Sequence, residues 1–153
     1  MLWLPESYWG GDPTRAQDGV VEQLRSQMPI SPEAARLLRS EDSTLALVAV
    51  DSKVGGCVCV SSVSVLKLEV PREMALDEIL SLLRGGLSEQ TRIVSDDSVP
   101  VGRFQARRLV VETPNAPAVP KELVYLLKSG STLWLVTYHS FAQEFDSQLP
   151  IFE

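Results

Sequence analysis

The stretch ELVYLLKSGSTLWLVTYHSF, residues Glu122–Phe141, constrains the fold of this chain more than any other. It consists of two apolar runs around the break KSGS at residues 128–131, which predicts a β-hairpin. Successive residues of a strand point to opposite faces, so each arm of this hairpin is apolar on both faces. A sheet with one face in water alternates apolar and polar residues. We therefore predict that both faces of the sheet centre are covered.

Helices are available to cover both faces. The clearest one is predicted over Met74–Leu87, where apolar residues recur at i, i+3, i+4, i+7 and i+11 and form a single stripe. A second is predicted over Ser31–Arg39, which begins with a capping serine, then Pro32 and an acid. A third, Thr14–Gln27, has apolar residues at helical spacing but contains Gly19.

Strand signals fill much of the remaining sequence. Residues 44–50 (TLALVAV) are apolar on both faces, and the run CVCVSSVSVLKLEV at residues 57–70 changes phase at Ser61-Ser62, which predicts a bulge there. Further strands are predicted at Leu2–Leu4, Arg92–Val94 and Phe104–Glu112. The strands follow one another in hairpin order, which is typical of antiparallel pairing. The predicted fold class is α+β, a three-layer α/β/α sandwich around a mostly antiparallel sheet, with residues 1–153 in a single domain.

Composition and charge exclude two classes of partner. The chain has 153 residues and a formal net charge of -6 at pH 7. Nucleic-acid backbones and anionic membrane surfaces attract basic patches, so we expect neither as a partner. No apolar run reaches the roughly 18 residues of a membrane span, so we expect no direct membrane insertion. The start, MLWLPESYWG, lacks the features of a signal peptide, which predicts a cytoplasmic protein, or an extracytoplasmic one whose signal has been removed.

The sequence offers few residues for catalysis or metal binding. His139 is the only histidine, and a zinc site or a histidine-based triad needs further partners. We interpret it as a strand-end residue with a local hydrogen bond. Cys57 and Cys59 lie two apart in a strand-like run and cannot bond to each other without distortion. We interpret both as reduced and buried, which favours a reducing compartment; we predict no catalytic residue, no metal site and no cofactor.

The acidic pair Asp96-Asp97, with Glu89 upstream, offers oxygen ligands of the kind that calcium prefers. Its spacing matches no EF-hand loop, so we interpret the pair as part of a solvated loop. The glycine pairs at residues 55–56 and 85–86 lack the context of a phosphate-binding loop. We interpret them as a turn and a helix end.

Aromatic residues are the candidates for a binding site. Tyr8 and Trp9, followed by two glycines, are predicted to lie on a loop, where aromatic side chains serve as binding anchors. They also suit the alternative role of a lid over the core, as do Trp3 and Trp134. We take Tyr8, Trp9 and Trp134 as the candidate partner- or ligand-binding residues.

The order of these segments resembles the PsbP-like superfamily, which includes the extrinsic photosystem II protein PsbP, the Mog-type Ran-binding proteins and the LpqN-type bacterial lipoproteins. The strongest match is the run VGRFQARRL at residues 101–109. The other matching segments are Leu4-Pro5, Tyr8-Trp9-Gly10, Leu45 to Asp51, Val58 to Leu66, Ala75 to Glu78, Leu123 to Leu127 and Leu133 to Tyr138. The resemblance spans nearly the whole chain and is a pattern of fold positions, not of catalytic ones.

The resemblance implies an α/β/α sandwich without enzyme activity, which either docks to protein complexes or has one of the unknown roles of the bacterial lipoproteins. Such domains usually close one face of the sheet with a helix after this hairpin. The chain stops at LPIFE, residues 149–153, where that helix is expected to begin, and residues Ser140–Asp146 offer only a candidate helical turn. Either the last helix is missing from this chain, or another element covers that face. A missing helix would leave apolar sheet surface that a second copy would cover. We therefore also predict a homodimer.

The predicted function is that of a non-enzymatic protein-binding or assembly domain. The alternative is a small-molecule or lipid binder with a pocket between sheet and helices near Tyr8 and Trp9, and an enzyme is the third hypothesis. A partner site predicts an exposed apolar patch, a ligand site a closed apolar pocket, and an enzyme a cluster of titratable groups with shifted pKa values. A cleft that gathers Asp96, Asp97 and His139 would favour the enzyme.

Overall fold

The computed structural model describes residues 6–11, 43–51, 61–87, 91–114 and 120–153. These residues form seven strands and two helices. The strands are β1 (Tyr8–Gly11), β2 (Ser43–Asp51), β3 (Ser62–Glu69), β4 (Arg92–Val101), β5 (Phe104–Glu112), β6 (Pro120–Ser129) and β7 (Thr132–Phe141), and the helices are α1 (Leu76–Gly86) and α2 (Ala142–Phe152).

All seven strands belong to one sheet, in the order β1-β2-β3-β7-β6-β5-β4, and every neighbouring pair is antiparallel. Strand β7 lies in the middle, and β1 and β4 form the two edges. The predicted hairpin is formed by β6 and β7, which pair from Pro120 with Phe141 to Ser129 with Thr132. The antiparallel sheet predicted from the sequence is thus confirmed.

The turn between β6 and β7 fixes the register of this hairpin. Gly130 and Ser131 are the two residues between the paired Ser129 and Thr132, and Gly130 has a φ of 62°. A positive φ at the first of two turn residues is what a type II′ turn requires, and glycine adopts it without steric cost. Gly102, with a φ of 58°, has the same position between β4 and β5.

Helix α1 covers one face of the sheet. Its buried residues Ile79 and Leu80 pack on apolar side chains from four strands. These side chains are Leu68, Leu109, Val111, Val124, Leu126, Leu133 and Leu135. At the start of α1, the Glu78 carboxylate accepts a hydrogen bond from the N–H of Ala75 at 2.7 Å, which satisfies a backbone donor that the helix leaves unpaired. The helix predicted over Met74–Leu87 is confirmed.

Helix α2 covers the opposite face, where Phe145 is fully buried. The cluster around Phe145 contains Val63, Val110, Leu123 and Tyr138. Along β6, Leu123 packs in this cluster, whereas the next residue, Val124, packs beneath α1. The sheet therefore lies between two helical layers, and the predicted three-layer α/β/α sandwich is confirmed. The hairpin is apolar on both faces because each face packs against its own helix.

The alternative that the last helix is missing is wrong, because α2 follows the hairpin directly. Residues 149–152 form the C-terminal end of this helix, and Glu153 follows it. Pro150 lies in its last turn, where the missing N–H of proline removes only one intrahelical hydrogen bond. The homodimer prediction loses its premise, since α2 covers the face that was expected to be open. Dimerisation itself stays a prediction.

Two segments predicted as loops are strands. Tyr8–Gly11 forms β1, which pairs with β2. Asp96 and Asp97 lie inside β4, beside β5. The predicted solvated loop is wrong there, because Arg107 and Arg108 of β5 form ion pairs with the two carboxylates. Neutralised in this way, two acids that disfavour strand structure are tolerated within it.

Other predictions concern residues outside those that the structure describes. They are the strand Leu2–Leu4 with Trp3, the helices Thr14–Gln27 and Ser31–Arg39, the cysteines Cys57 and Cys59, the glycines at 55–56, and Glu89. At the bulge predicted for Ser61-Ser62, the described part begins with Ser61, and β3 pairs with β7 in unbroken register from Ser62 to Glu69. Of the helices in the described ranges, neither is long and apolar enough to cross a membrane.

Candidate functional site

A groove of about 490 Å³ lies between the C-terminal end of α1 and the first half of the edge strand β4. It opens broadly to solvent. It is lined by Arg84 and Leu87 at the end of α1, by Thr91, and by Ile93, Val94, Ser95 and Asp96 of β4. The groove thus combines an aliphatic part with an ionic part.

A β-bulge at Val94 gives the groove its apolar rim. The register of β4 and β5 breaks between Ile93 and Ser95, so Val94 is the extra residue of the bulge. Val94 is 51% exposed, whereas Ile93 packs against the core beneath α1. A bulge re-aims the side chain of the extra residue. Here it leaves an aliphatic group in contact with solvent beside the groove.

An ion-pair network forms the polar wall of the groove. Asp96 accepts hydrogen bonds from Arg84 and from Nε of Arg107, the latter at 2.9 Å. Nη1 of Arg107 also lies 3.4 Å from a carboxylate oxygen of Asp77. The hydrogen bond with Asp96 raises the pKa of Arg107, and the Asp96 side chain is only 15% exposed. Because this network joins α1, β4 and β5, Asp96 has a structural role.

Asp97 points to the other face of β4 and is held more loosely. Its Oδ2 lies 3.5 Å from Nη1 of Arg108, and 56% of its side chain is exposed. The second terminal nitrogen of Arg108, Nη2, donates to Glu153 after the end of α2. Arg108 is therefore shared between two carboxylates, and its contact with Asp97 is the longer one.

The outer side of β4 has no neighbouring strand within the described ranges. Backbone N–H and C=O groups that point outward from an edge strand are available to an added strand. Three features restrict this edge, namely the bulge at Val94, the charge of Asp97, and Pro100, which has no N–H to donate. They protect β4 against indiscriminate pairing, and residues 95–99 remain as a regular stretch.

The structure places the predicted binding residues away from the groove. Tyr8 and Trp9 lie on β1, at the opposite edge of the sheet from β4. Trp134 lies on β7, in the middle of the sheet, where Lys67 and Leu127 are its cross-strand neighbours. It is half-buried. Neither Tyr8 nor Trp134 is among the residues that line the groove.

Tyr8 packs with aromatic residues of the α2 face. Its ring contacts Phe152 edge-on with centroids 5.7 Å apart, and Phe152 stacks on Tyr138. The Tyr8 hydroxyl is buried. The Tyr138 hydroxyl lies nearby, but among the described residues the Tyr8 hydroxyl has no hydrogen-bond partner of good geometry. Burial raises the pKa of Tyr8. This is the packing expected of a lid over the core; a binding role for Tyr8, Trp9 and Trp134 stays a prediction.

His139 forms a pair with Glu122 on the neighbouring strand. Its Nδ1 lies 3.1 Å from Oε1 of Glu122, and the two side chains are 19% and 15% exposed. The local hydrogen bond predicted for His139 is therefore present. Because β7 and β4 are separated by two strands, the described residues form no cleft that gathers His139 with Asp96 and Asp97. They also contain no cluster of three or more acidic, histidine or cysteine side chains that could hold a metal ion.

Sequence reasoning missed the groove. Of the residues that line it, only Asp96 had been considered as a candidate site residue. The sequence signal that was available is the adjacent pair Ile93-Val94. Two aliphatic residues in succession break the alternation of a strand with one exposed face, and a bulge produces this pattern. The nearness of α1 to β4, which completes the groove, has no such local signal.

No protein-family model matches the chain, and no curated protein matches it. Solved structures do match. Cyanobacterial PsbP (CyanoP) from Synechocystis sp. PCC 6803 is similar with a TM-score of 0.55 at 12% sequence identity, over 97% of this chain and 78% of that chain. LpqN, which is involved in cell envelope biogenesis of Mycobacterium tuberculosis, is similar with a TM-score of 0.53 at 11% identity, over 72% of this chain and 73% of that chain.

This chain has a PsbP-like fold. A protein of unknown function from Pseudomonas aeruginosa, described as a putative regulator, is also similar, with a TM-score of 0.53 at 7% identity over 74% of this chain and 79% of that chain. At these identities the likeness concerns the PsbP-like fold alone and does not extend to activity. The resemblance drawn from the sequence is confirmed at this level.

Proposed function

We propose that this PsbP-like chain is a non-enzymatic domain that binds a protein partner, and that the groove beside β4 is its docking surface. The observation that carries the proposal is the position of Val94. This residue is an exposed aliphatic side chain at a groove of about 490 Å³, beside a strand edge that no described strand covers. Open strand edges are recurrent sites of protein docking, where main-chain hydrogen bonds give affinity and neighbouring side chains give specificity.

The shape of the groove favours a protein over a small molecule. Small-molecule sites are concave and bury most of the surface of their ligand, whereas this groove opens broadly to solvent at the rim of the sheet. The alternative of a small-molecule or lipid pocket was predicted beside Tyr8 and Trp9, at the other edge of the sheet. The groove does not extend there, so it does not support that alternative.

The charged groups of the groove favour a non-enzymatic role. Among the described residues, Asp96 is the only carboxylate in the lining, and it accepts hydrogen bonds from both Arg84 and Arg107. A general base must be free to accept a proton from a substrate. A carboxylate whose oxygens are engaged by two guanidinium groups is suited to holding α1 and β4 together instead.

The fold relationship favours the same proposal. Docking to protein complexes is one of the two roles that the resemblance to the PsbP-like superfamily implies, the other being the unknown roles of bacterial lipoproteins. LpqN, which shares the fold, is involved in cell envelope biogenesis. These roles belong to other proteins that share the fold. The partner of this chain must therefore be identified by experiment.

Affinity capture with matched variants tests the proposal. The wild-type chain, Val94→Asp and Ile151→Asp serve as baits in lysate from the source organism, and the captured proteins are quantified by mass spectrometry. The two substitutions are matched, because each puts a carboxylate at an aliphatic position that is half exposed, 51% for Val94 and 49% for Ile151. We expect one protein or complex to be captured by the wild type and Ile151→Asp and lost from Val94→Asp. Equal capture by all three baits would contradict the proposal.

A further inference from the structure

We infer that the segment bound at the groove is an extended stretch of a second protein, which adds to β4 as a further strand and places a basic side chain opposite Asp97. The inference rests on the proposed function and adds to it the binding mode and the chemistry of the partner. It has three supports, which are the open edge of β4, the two surfaces that an added strand would contact, and the charge at that edge.

The outer edge of β4, which no described strand covers, supplies main-chain hydrogen bonds. Strand β4 is 10 residues long, and β5 occupies its inner side. Residues 95–99, between the bulge at Val94 and Pro100, pair with β5 in continuous register and offer a regular outer edge. An extended peptide that adds to such an edge gains affinity from main-chain hydrogen bonds and specificity from its alternate side chains.

An added strand would present its side chains to two different surfaces. Asp96 lies in the groove on the α1 side, and Asp97 points to the α2 side, since adjacent strand residues face opposite ways. A residue paired with Asp96 therefore faces the groove, where Leu87, Ile93 and Val94 offer apolar contacts. The next residue of the segment faces Asp97. The expected pattern in the partner is an alternation of aliphatic and basic residues.

Asp97 is the carboxylate that a basic residue of the segment can reach. Its side chain is 56% exposed, and its ion pair with Arg108 spans 3.5 Å. Arg108 also engages Glu153. By contrast, Asp96 is 15% exposed and already pairs with Arg84. The net charge of -6 of the whole chain further favours the approach of a basic segment over that of an acidic one.

A second copy of this chain is a poorer occupant of the edge. The midpoint of β4, Arg92–Val101, falls between Asp96 and Asp97. Residues directly opposite one another in antiparallel strands face the same side of the sheet, so the two registers closest to full overlap place either Asp96 opposite Asp96 or Asp97 opposite Asp97. Like charges directly opposite one another in a sheet are destabilising, so the edge favours a different, basic chain.

Designed peptides test the inference on the full chain. The probe is a peptide of roughly nine residues, within the usual range of strand lengths, in which valine and lysine alternate and both ends are blocked. The control peptide has glutamate in place of lysine. Binding is followed by NMR titration of the isotope-labelled chain. We expect the lysine peptide to shift the amide signals of β4 and to slow their exchange with solvent, and the glutamate peptide to leave both unchanged.

Two charge reversals separate a contact at Asp97 from general electrostatic attraction. Asp97→Lys removes the proposed contact. Glu69→Lys makes the same change of charge at a matched place, because Glu69 is 46% exposed and lies 3.5 Å from Lys67. We expect Asp97→Lys to weaken binding of the lysine peptide about fivefold, and Glu69→Lys about twofold or less, the scale of an exposed ion pair. Equal weakening by the two reversals would overturn the role of Asp97.

A pair of backbone-blocked peptides tests strand addition itself. Methylation of the backbone nitrogens of all valines, or of all lysines, removes the N–H donors along one edge or the other of the extended peptide. Strand addition predicts that one of these peptides binds like the parent and the other does not, because only one edge faces β4. Equal binding by both, or signal shifts that map to β1 instead of β4, would overturn the inference.

These outcomes are distinguishable from failure of the proposed function. One outcome is that the two methylated peptides bind equally, or that the two charge reversals weaken binding equally, while the Val94→Asp bait still loses its partner. In that case the groove binds the partner in another way, and only the inference is wrong. If Val94→Asp also captures the same proteins as the wild type, the proposed function falls with it.

Discussion

Phe152 stacks on Tyr138, with ring centroids 3.9 Å apart and an angle of 16° between the ring planes. This contact fastens the last turn of α2 to the central strand β7, and Tyr8 of β1 adds an edge-on contact to Phe152. Helix α2 covers one face of the sheet largely through such aromatic contacts. The stability of the three-layer sandwich should therefore be sensitive to them.

Removal of the central ring of α2 should be strongly destabilising. Phe145 is fully buried, and we expect Phe145→Ala to lower the free energy of unfolding by about 3–5 kcal/mol, as for other large-to-small substitutions in a core. Urea denaturation measures the change. Ile151→Ala, on the same helix at a residue that is 49% exposed, is the control, with a change of about 1 kcal/mol or less. Similar losses for both variants would contradict the packing of α2.

Two glycine substitutions should change the free energy of unfolding in opposite directions. Gly130 has a φ of 62°, and a Cβ added there would meet no atom within 4 Å, so the cost of Gly130→Ala is that of the backbone conformation, about 1–2 kcal/mol. Gly85 lies in α1 and also has open space around it. Gly85→Ala should raise the free energy of unfolding by up to about 1 kcal/mol, because alanine is the better helix former. Changes of the same sign in urea denaturation would contradict this account.

The adjacent carboxylates of β4 should differ in their effect on stability. Asp96→Ala removes an acceptor held by Arg84 and Arg107, and we expect a loss of about 1.5–3 kcal/mol in the free energy of unfolding. Asp97→Ala removes only an exposed contact at 3.5 Å, and we expect a change of about 1 kcal/mol or less. Thermal or urea unfolding of the two variants measures the difference. A larger loss for Asp97→Ala would contradict their assigned roles.

Stability should fall at alkaline pH because of two buried tyrosine hydroxyls, those of Tyr8 and Tyr138. Burial raises the pKa of Tyr8 and of Tyr138 above the ordinary value, so the unfolded chain loses these protons at a lower pH than the folded one. Their contribution is complete below about pH 10 and is lost as the pH rises above it. Urea denaturation between about pH 8 and about pH 11 should show a smaller alkaline loss for Tyr8→Phe than for the wild type. A larger alkaline loss in Tyr8→Phe would contradict the burial of that ring.

The sequence predicts the parts of the fold that repeat with a clear period. The apolar arms of Glu122–Phe141 indicate a sheet covered on both faces, and the stripe of Met74–Leu87 indicates α1. Helix α2 was foreseen only as a candidate helical turn at Ser140–Asp146, because residues 149–153 were taken as the place where a further helix would begin. Its signal was nevertheless present, since Phe145, Leu149 and Phe152 recur at i, i+4 and i+7.

The parts that depend on tertiary pairing could not be predicted in this way. Asp96 and Asp97 disfavour a strand, and only the position of Arg107 and Arg108 on β5 makes them acceptable in β4. The groove depends on the bulge at Val94 and on the end of α1, which are brought together by the fold. The predicted binding residues Tyr8 and Trp9 were assigned to a loop, but they lie on the strand β1 at the other edge of the sheet.

Hydrogen exchange of the chain, alone and in complex with its captured partner, shows whether the partner binds at β4. We expect the partner to slow exchange at β4, residues 92–101, and at the end of α1 around Arg84 and Leu87, because these residues form the groove and its edge. Residues of β1 at the other edge serve as the internal control and should be unchanged. Protection at β1 with β4 unaffected would contradict docking at the groove and would make Tyr8 and Trp9 the favoured binding residues.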